Sequence, residues 1–477
     1  MTSYENTLRV SQTAIDGLLV VDLPLHGDNR GWFKEHWQRE KMVALGLPDF
    51  GPVQQNISFN AEIGTTRGIH AEPWDKYVSV ANGRAFGAWV DLREGKTFGA
   101  TFTIELSPRR AVFVPRGVAN SFQTLETDTA YMYLVNAHWS PDASYTFVNL
   151  ADRELQIPWP IPLASAIVSE KDRDHPFIED ITPIPPRRKV VLGATGQLGR
   201  ALRQQFSEET TTFLTRNDID LSSLDSILAF DWNDVGVIIN AAAYTAVDSA
   251  ESPEGRKLAW AVNTTAVSAL AQVASQKNIP LVQISSDYVF DGTCNIHTET
   301  EPLSPLGVYG QTKAAGDLVA ASTAKHYIVR TSWVIGEGKN FINTMKTLAT
   351  KGVSPEVVSD QYGRPTFTTE LARGIAHLID SGAPYGVYNI TNGGPTTTWH
   401  ELAVRVFDTY GTTGATVLPT STQEYSTLQM NRGNQFAERP TWSVLDLQKI
   451  RSTGFEPRDW QEDLARYLAQ LSEETTK

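Results

Sequence analysis

Tyr309 and Lys313 stand four residues apart in Tyr309-Gly-Gln-Thr-Lys313. On a helix that spacing puts both side chains on one face. An ammonium beside a phenol favours the phenolate, so such a tyrosine can give a proton to a carbonyl oxygen while hydride reaches the carbonyl carbon. Ser286 closes the apolar run LVQISS and can hydrogen-bond the same oxygen. Taken alone, the Tyr/Lys pair is equally an ordinary surface pair. Its company is what matters. Gly193-Ala194-Thr195-Gly196-Gln197-Leu198-Gly199 follows the apolar run KVVL and opens a helical stretch. Glycines at G-x-x-G-x-x-G spacing permit a tight turn and close approach of backbone to a pyrophosphate, and the helix N-terminus adds free N–H groups. Ala241, Ala242 and Ala243 end another apolar run; small residues there allow a cofactor close to the backbone, or simply close packing. Arg216 follows the run TTFLT, where a carboxylate would select NADH by its ribose hydroxyls. An arginine there either meets a 2′-phosphate, which favours NADPH, or is a solvated surface residue. In the first half of the chain, His70 and Asp172 are a base and a carboxylate able to orient it, if folding joins them.

Two kinds of element must position these groups. Before residue 175, runs such as YVSVANGRAFGAWVDL, TFTIELS and AVFVPRGV are short, rich in β-branched and aromatic residues, and punctuated by Gly and Pro. They predict antiparallel strands in a sandwich or barrel. After residue 189, apolar strands alternate with helical stretches, which predicts a doubly wound parallel α/β sheet. Between them lie Pro176, Pro183, Pro185 and Pro186, which predict an extended linker over 176–188. The expected layout is therefore an all-β domain over 1–175, the linker, and an α/β domain over 189–477.

Composition excludes several classes of function. The 477 residues carry 41 Lys and Arg against 54 Asp and Glu, a net charge of −13, so no nucleic-acid binding is expected. No apolar run reaches membrane-span length and the N-terminus shows no secretory pattern, which points to a cytoplasmic protein without a membrane partner. The one cysteine, Cys294, leaves no intramolecular disulfide framework.

The stretches GATGQLGR (193–200), NAAAYTAVD (240–248), ISSDYVFDG (284–292), YGQTKAAGD (309–317), RTSWVIGEGKNF (330–341), DQYGRPT (360–366) and ERP (438–440) resemble the extended short-chain dehydrogenase/reductases, and more closely the dTDP-4-dehydrorhamnose reductases. The resemblance implies a Rossmann-type domain reducing the C4 ketone of a dTDP-linked 6-deoxyhexose with NADPH or NADH. It implies Tyr309 as proton donor, Lys313 as its partner and a ribose contact, and Ser286 where this family usually has Thr. It places Asp287, Trp333 and Asn340 near the sugar nucleotide. It leaves magnesium dependence open.

DNRGWFKE (28–35), VQQNIS (53–58), RGIH (67–70), Lys76, VDLR (90–93), TFG (97–99), VPRGVANSF (114–122) and SEKD (169–172) resemble the dTDP-4-dehydrorhamnose 3,5-epimerases. This implies a cupin-type jelly roll that removes protons from C3 and C5, with His70 as base, Asp172 as its orienter and Lys76 as stabiliser of the enolate. Arg30, Glu35, Gln54, Asn56 and Arg67 would contact the nucleotide sugar. No metal is expected, because the paired histidines of metal-binding cupins are not present at His70-Ala71-Glu72. The resemblance also implies a homodimer. Two departures stand out: a gap-free alignment puts Trp139 on the family's proton-donating tyrosine, and Asn120 replaces a histidine. An indole N–H donates hydrogen bonds but is no ordinary acid, so a donor is missing unless Tyr131, Tyr133, Tyr145 or water substitutes.

The sequence thus reads as a bifunctional enzyme of dTDP-L-rhamnose synthesis acting on a dTDP-linked 4-keto-6-deoxyhexose. Three alternatives stand beside it: a reductase with a degenerate or single-carbon epimerase domain, a non-catalytic regulatory subunit on the reductase fold, and a related pathway to another deoxysugar.

Overall fold

Alternating Val, Ile and aromatic residues make the N-terminal strands two-faced, and the fold buries both faces. A computed structural model describes residues 7–141, 143–412 and 414–476. The chain divides into two compact units, Met1–Pro186 and Arg187–Lys477.

In the first unit, an antiparallel sheet of six strands runs in the order Arg9–Gln12, Leu19–Asp22, Arg110–Val114, Lys76–Asn82, Thr129–Val135 and Gln54–Asn60. A second, five-stranded antiparallel sheet runs in the order Thr146–Phe147, Thr66–Ala71, Val118–Thr124, Ala85–Asp91 and Thr101–Leu106. Val20, Val78, Val80 and Val112 of the first sheet form one core with Trp89, Leu106 and Phe122 of the second. Phe122 stacks on Tyr131 across that core at 4.0 Å between centroids. Each sheet also packs its outer face: Met42 of the short helix Arg39–Ala44 covers the first, and Val148, Leu155 and Ile178 cover the second.

In the second unit, six parallel strands run in the order Thr211–Leu214, Arg188–Leu192, Val235–Asn240, Leu281–Ser286, His326–Thr331 and Gly386–Asn389. The pleat sends alternate residues to opposite faces. Val191, Val237 and Val329 pack against the helices Gln197–Gln205 and Thr368–Asp380, while Val190, Ile238 and Ile328 pack against Ala266–Lys277. The strand order reverses between Arg188–Leu192 and its neighbour Val235–Asn240, so a crevice opens beyond their carboxyl ends. The glycine loop 193–199 lies there. Among the described residues, no helix is long and apolar enough to cross a membrane.

Candidate active sites

In the first unit, period-two geometry puts Tyr131 and Tyr133 on one face of their strand. Lys76 starts the neighbouring strand, and Asn120 and His70 are paired across the second sheet. The His70 Nε2 lies 3.0 Å from Asp172 Oδ1, which brings together the base and orienter expected from sequence. Asp172 is held by a four-residue helix, Glu170–Arg173, whose cap Ser169 accepts from the Asp172 N–H at 3.1 Å. Burial raises the Asp172 carboxyl, but the hydrogen bond with His70 and the nearby imidazoles outweigh it and leave it below its usual range. A second imidazole, His175, lies 3.8 Å from the same oxygen. No motif pointed to it; its one signal was a histidine three residues beyond Asp172.

The Lys76 ammonium is buried. It pairs with the Glu72 carboxylate, donates to Asn120 Oδ1 at 2.6 Å and lies 5.5 Å from the Tyr133 ring centroid. Burial pushes it down to about 7. Asn120 Nδ2 in turn donates to the Tyr131 hydroxyl at 3.3 Å. Asn120 therefore links Lys76 to Tyr131.

Trp139 takes no part in this cluster: the residue is 62% exposed, and its backbone N–H donates to Gln54 Oε1 at 3.0 Å. The tyrosine beside Lys76 is Tyr133, at the start of the aligned motif rather than its end. Burial raises its hydroxyl, and Arg67 acts in the opposite direction. Gln54 and Asn56 bond each other at 3.0 Å, and Arg67 donates to Asn60 Oδ1 at 3.1 Å. Arg30 and Glu35 are not brought to the cluster; they are exposed and pair locally with Asp28 and Lys41.

In the second unit, Gly193 has φ +80°, and a Cβ there would meet the Ala242 backbone at 2.8 Å. A Cβ on Gly199 would lie 2.2 Å from the Gly193 carbonyl oxygen. The loop is therefore built for glycine at both places. Gln197 is partly spent on structure, accepting the Gly336 N–H at 2.7 Å. Beyond the loop, a cavity of about 590 Å³ is lined by Gly196, Leu198, Ala242, Ser286, Tyr309 and Lys313, among others. Ala241, Asp287 and Trp333 also face it. A smaller cavity of about 270 Å³ continues past Thr195, Ala243 and Arg216. Arg216 sits at its rim with its side chain 78% exposed, 3.6 Å from Asp220.

Tyr309 and Lys313 share the helix Val308–Ala320. Burial raises the Tyr309 hydroxyl, and a hydrogen bond with Ser286 partly offsets this. Lys313 donates to the Ile284 carbonyl at 2.6 Å, and burial pushes it down to about 8 while Asp317 supports its charge. Ser286 Oγ donates to Asp287 Oδ1 at 2.9 Å. Burial pushes the Asp287 carboxyl up to about 6. Trp333, at φ +47°, stacks on Trp399 at 3.8 Å over the cavity. Asn340 is absent from the cavity lining. Its Oδ1 caps the helix Phe341–Thr350, and its Nδ2 donates to the Gly336 carbonyl and the Tyr467 hydroxyl.

Sequence reasoning missed Asn263. Buried in an irregular turn, Ala261–Thr265, its Oδ1 accepts the Tyr244 N–H at 2.9 Å, and its Nδ2 donates to the Tyr244 carbonyl and to Thr312 Oγ1, both at 3.1 Å. It ties the alanine segment to the helix carrying Tyr309.

Fold and side-chain sets together define a two-domain enzyme, with a His/Asp/Lys/Tyr cluster in one half and a glycine-lined crevice beside a Ser/Tyr/Lys set in the other. The chain belongs to the family described as the RmlD substrate binding domain through residues 187–473, and to the dTDP-4-dehydrorhamnose 3,5-epimerase family through residues 12–180. The RmlC homologue of Streptococcus pyogenes serotype M6 is 51% identical over 180 residues, covering 36% of this chain and 90% of that protein. A dTDP-4-dehydrorhamnose reductase of Aggregatibacter actinomycetemcomitans is 36% identical over 302 residues, covering 59% of this chain and 98% of that one. The crystal structure of the Bacillus anthracis dTDP-4-dehydrorhamnose reductase in complex with NADP superposes with a TM-score of 0.54 at 31% identity, covering 60% of this chain and 99% of that one.

Proposed function

We propose that the chain performs two consecutive steps of dTDP-L-rhamnose synthesis: 3,5-epimerisation of dTDP-4-dehydro-6-deoxy-D-glucose in a cupin-type N-terminal domain, then reduction of the C4 ketone in a Rossmann-type C-terminal domain. The observation that carries this is a separate, assembled set of reactive side chains in each unit.

The C4 ketone acidifies both C3–H and C5–H. The His70 Nε2 faces Asp172, so Nδ1 is the nitrogen left to take those protons. Charge develops on the ketone oxygen, where a fixed ammonium in a dry site stabilises most; Lys76 supplies it. Tyr133, beside Lys76, returns the proton to the opposite face. The reading of an inactive epimerase rests on Trp139 and Asn120, and Tyr133 as donor answers the first of these.

In the reductase, the glycine cradle and the two adjoining cavities fit a dinucleotide. When bound, NADPH supplies hydride to C4. Tyr309 gives its proton to the C4 oxygen, Ser286 hydrogen-bonds that oxygen, and the Lys313 charge lowers the cost of the phenolate that remains. Arg216 at the open rim would meet a 2′-phosphate by turning from Asp220, which favours NADPH.

A homodimer fits the N-terminal unit. The strand Gln54–Asn60 ends its sheet and exposes Ile57 and Phe59, while Trp32 and Phe33 are exposed on the hairpin beside Arg30. A second copy would cover this edge.

The test is proton NMR of the full chain in deuterium oxide with the keto sugar nucleotide and no nicotinamide. Deuterium at C3 and C5, absent in His70→Ala, supports the epimerase. No exchange, with NADPH oxidised once a separate epimerase is added, would leave only the reductase.

A further inference from the structure

His175 has no task in the proposed reaction. It is 7% exposed, and neither ring nitrogen completes a well-formed hydrogen bond with another side chain. Its face packs on Phe147 at 4.8 Å, and its nearest polar neighbours are Asp172 and the Val148 backbone. A buried imidazole left in this way costs stability. It is aimed at a carboxylate that already holds another imidazole. His70, Asp172 and His175 each offer one donor atom, and all three atoms lie within 4.8 Å of one another.

We propose that these three side chains form an inhibitory site for a divalent transition-metal cation, with Zn2+ as the type ion. Its donors are two imidazole nitrogens and one carboxylate oxygen, a set that favours Zn2+, Co2+ or Ni2+ over Mg2+ and Ca2+. An ion centred among the donors would lie within about 2.5 Å of each, a few tenths of an ångström beyond Zn–N and Zn–O bonds of about 2.0–2.2 Å. Small side-chain shifts close that gap. His70 is partly exposed while the other two are buried, so an ion enters from the substrate side and keeps an open position towards it.

The ion would act on the tautomer of His70. In the metal-free dyad, the Nε2 proton is shared with Asp172 and the Nδ1 lone pair is the base. Metal bound at Nε2 displaces that proton, and the neutral ring then carries its hydrogen on Nδ1. No lone pair remains to remove a proton from carbon. The Asp172 charge is spent on the metal as well. This ion is therefore not a cofactor of the epimerase but its off-switch, and the inhibition, unlike the binding, rests on the epimerase reading.

The test uses the full chain freed of metal with a chelator. Calorimetric titration with Zn2+ is run on the native chain and on His175→Gln and His175→Asn, two variants that keep a polar side chain in the pocket. One Zn2+ per chain, weakened at least tenfold in both variants while Mg2+ gives no heat, is the expected result. Bound Co2+ should show visible absorption bands that Zn2+ abolishes, a readout that needs no variant to fold. Stoichiometric Zn2+ should stop deuterium exchange at C3 and C5, and EDTA should restore it. Equal Zn2+ affinity in native and variant chains, or no Co2+ bands at micromolar protein, would overturn the site. Exchange that continues with the site filled would overturn the inhibition. If the metal-free chain shows no exchange, the epimerase reading fails, and the titration alone decides the metal site.

Discussion

The pairing of Tyr309 and Lys313 was legible because the helix repeat alone puts them on one face, and in the structure burial raises the tyrosine hydroxyl and depresses the lysine. Tyr309→Phe should lower reductase kcat by about 10²–10⁴-fold, the usual worth of a positioned acid, with little change in NADPH affinity measured by fluorescence quenching. Both lysines proposed to act in catalysis are depressed by burial, Lys76 to about 7 and Lys313 to about 8. Each is charged below its value and neutral above it. Epimerase exchange should therefore fall as pH rises through about 7, and reductase turnover as pH rises through about 8. Rate profiles that decline in the reverse order would contradict the lysine assignments. At the proton donor, Tyr133→Phe should reduce exchange by about 10²-fold or more, while Trp139→Phe should leave it within a few-fold. Trp139 attracted attention only because a linear alignment counts positions without knowing that the strand ends at Val135, before Trp139 is reached. Once the strand Thr129–Val135 is in place, the tyrosine beside Lys76 is Tyr133.

At the scale of elements, the parallel sheet was legible because strand, glycine loop and helix follow one another in a fixed order, and each apolar run has one length and one period. The prolines marked the change of style between the two halves, but most of 176–188 is not a free extended linker: Ile178 is buried in the first unit and the Ile184 N–H donates to the Leu92 carbonyl. Less legible were groups whose role comes from long-range packing. Asn263 is an unremarkable residue in AVNTTAV, yet folding makes it the pin between the Tyr244 backbone and the catalytic helix. Asn263→Ala would remove the side-chain partner of both the Tyr244 N–H and the Tyr244 carbonyl, which are partly buried. It should destabilise the chain by about 1–3 kcal/mol, seen as a lower midpoint in urea unfolding, and raise KM for NADPH more than a surface substitution does. Asn340 shows the converse. Its motif suggested sugar binding, but its side chain is committed to capping a helix. Glycine 199 was legible as a type but not in its consequence: any side chain there meets the Gly193 carbonyl, so Gly199→Ala should push helix and loop apart and weaken NADPH binding at least tenfold.

For the whole molecule, the two halves correspond to relatives that exist as separate proteins, since the chain covers 90% of an RmlC homologue with one half and 98% of a reductase with the other. Each compact unit has its own cores and its own reactive set. The product of the first proposed step is the substrate of the second, so a shared chain releases the epimerised ketone where a reductase is always at hand. The most direct measurement gives the full chain both dTDP-4-dehydro-6-deoxy-D-glucose and NADPH in deuterium oxide and reads the product by proton NMR. The account predicts dTDP-L-rhamnose carrying deuterium at C3 and C5, formed without any added enzyme. A reduced sugar that keeps its original configuration and its hydrogens at C3 and C5, or no reduction until a separate epimerase is supplied, would contradict it.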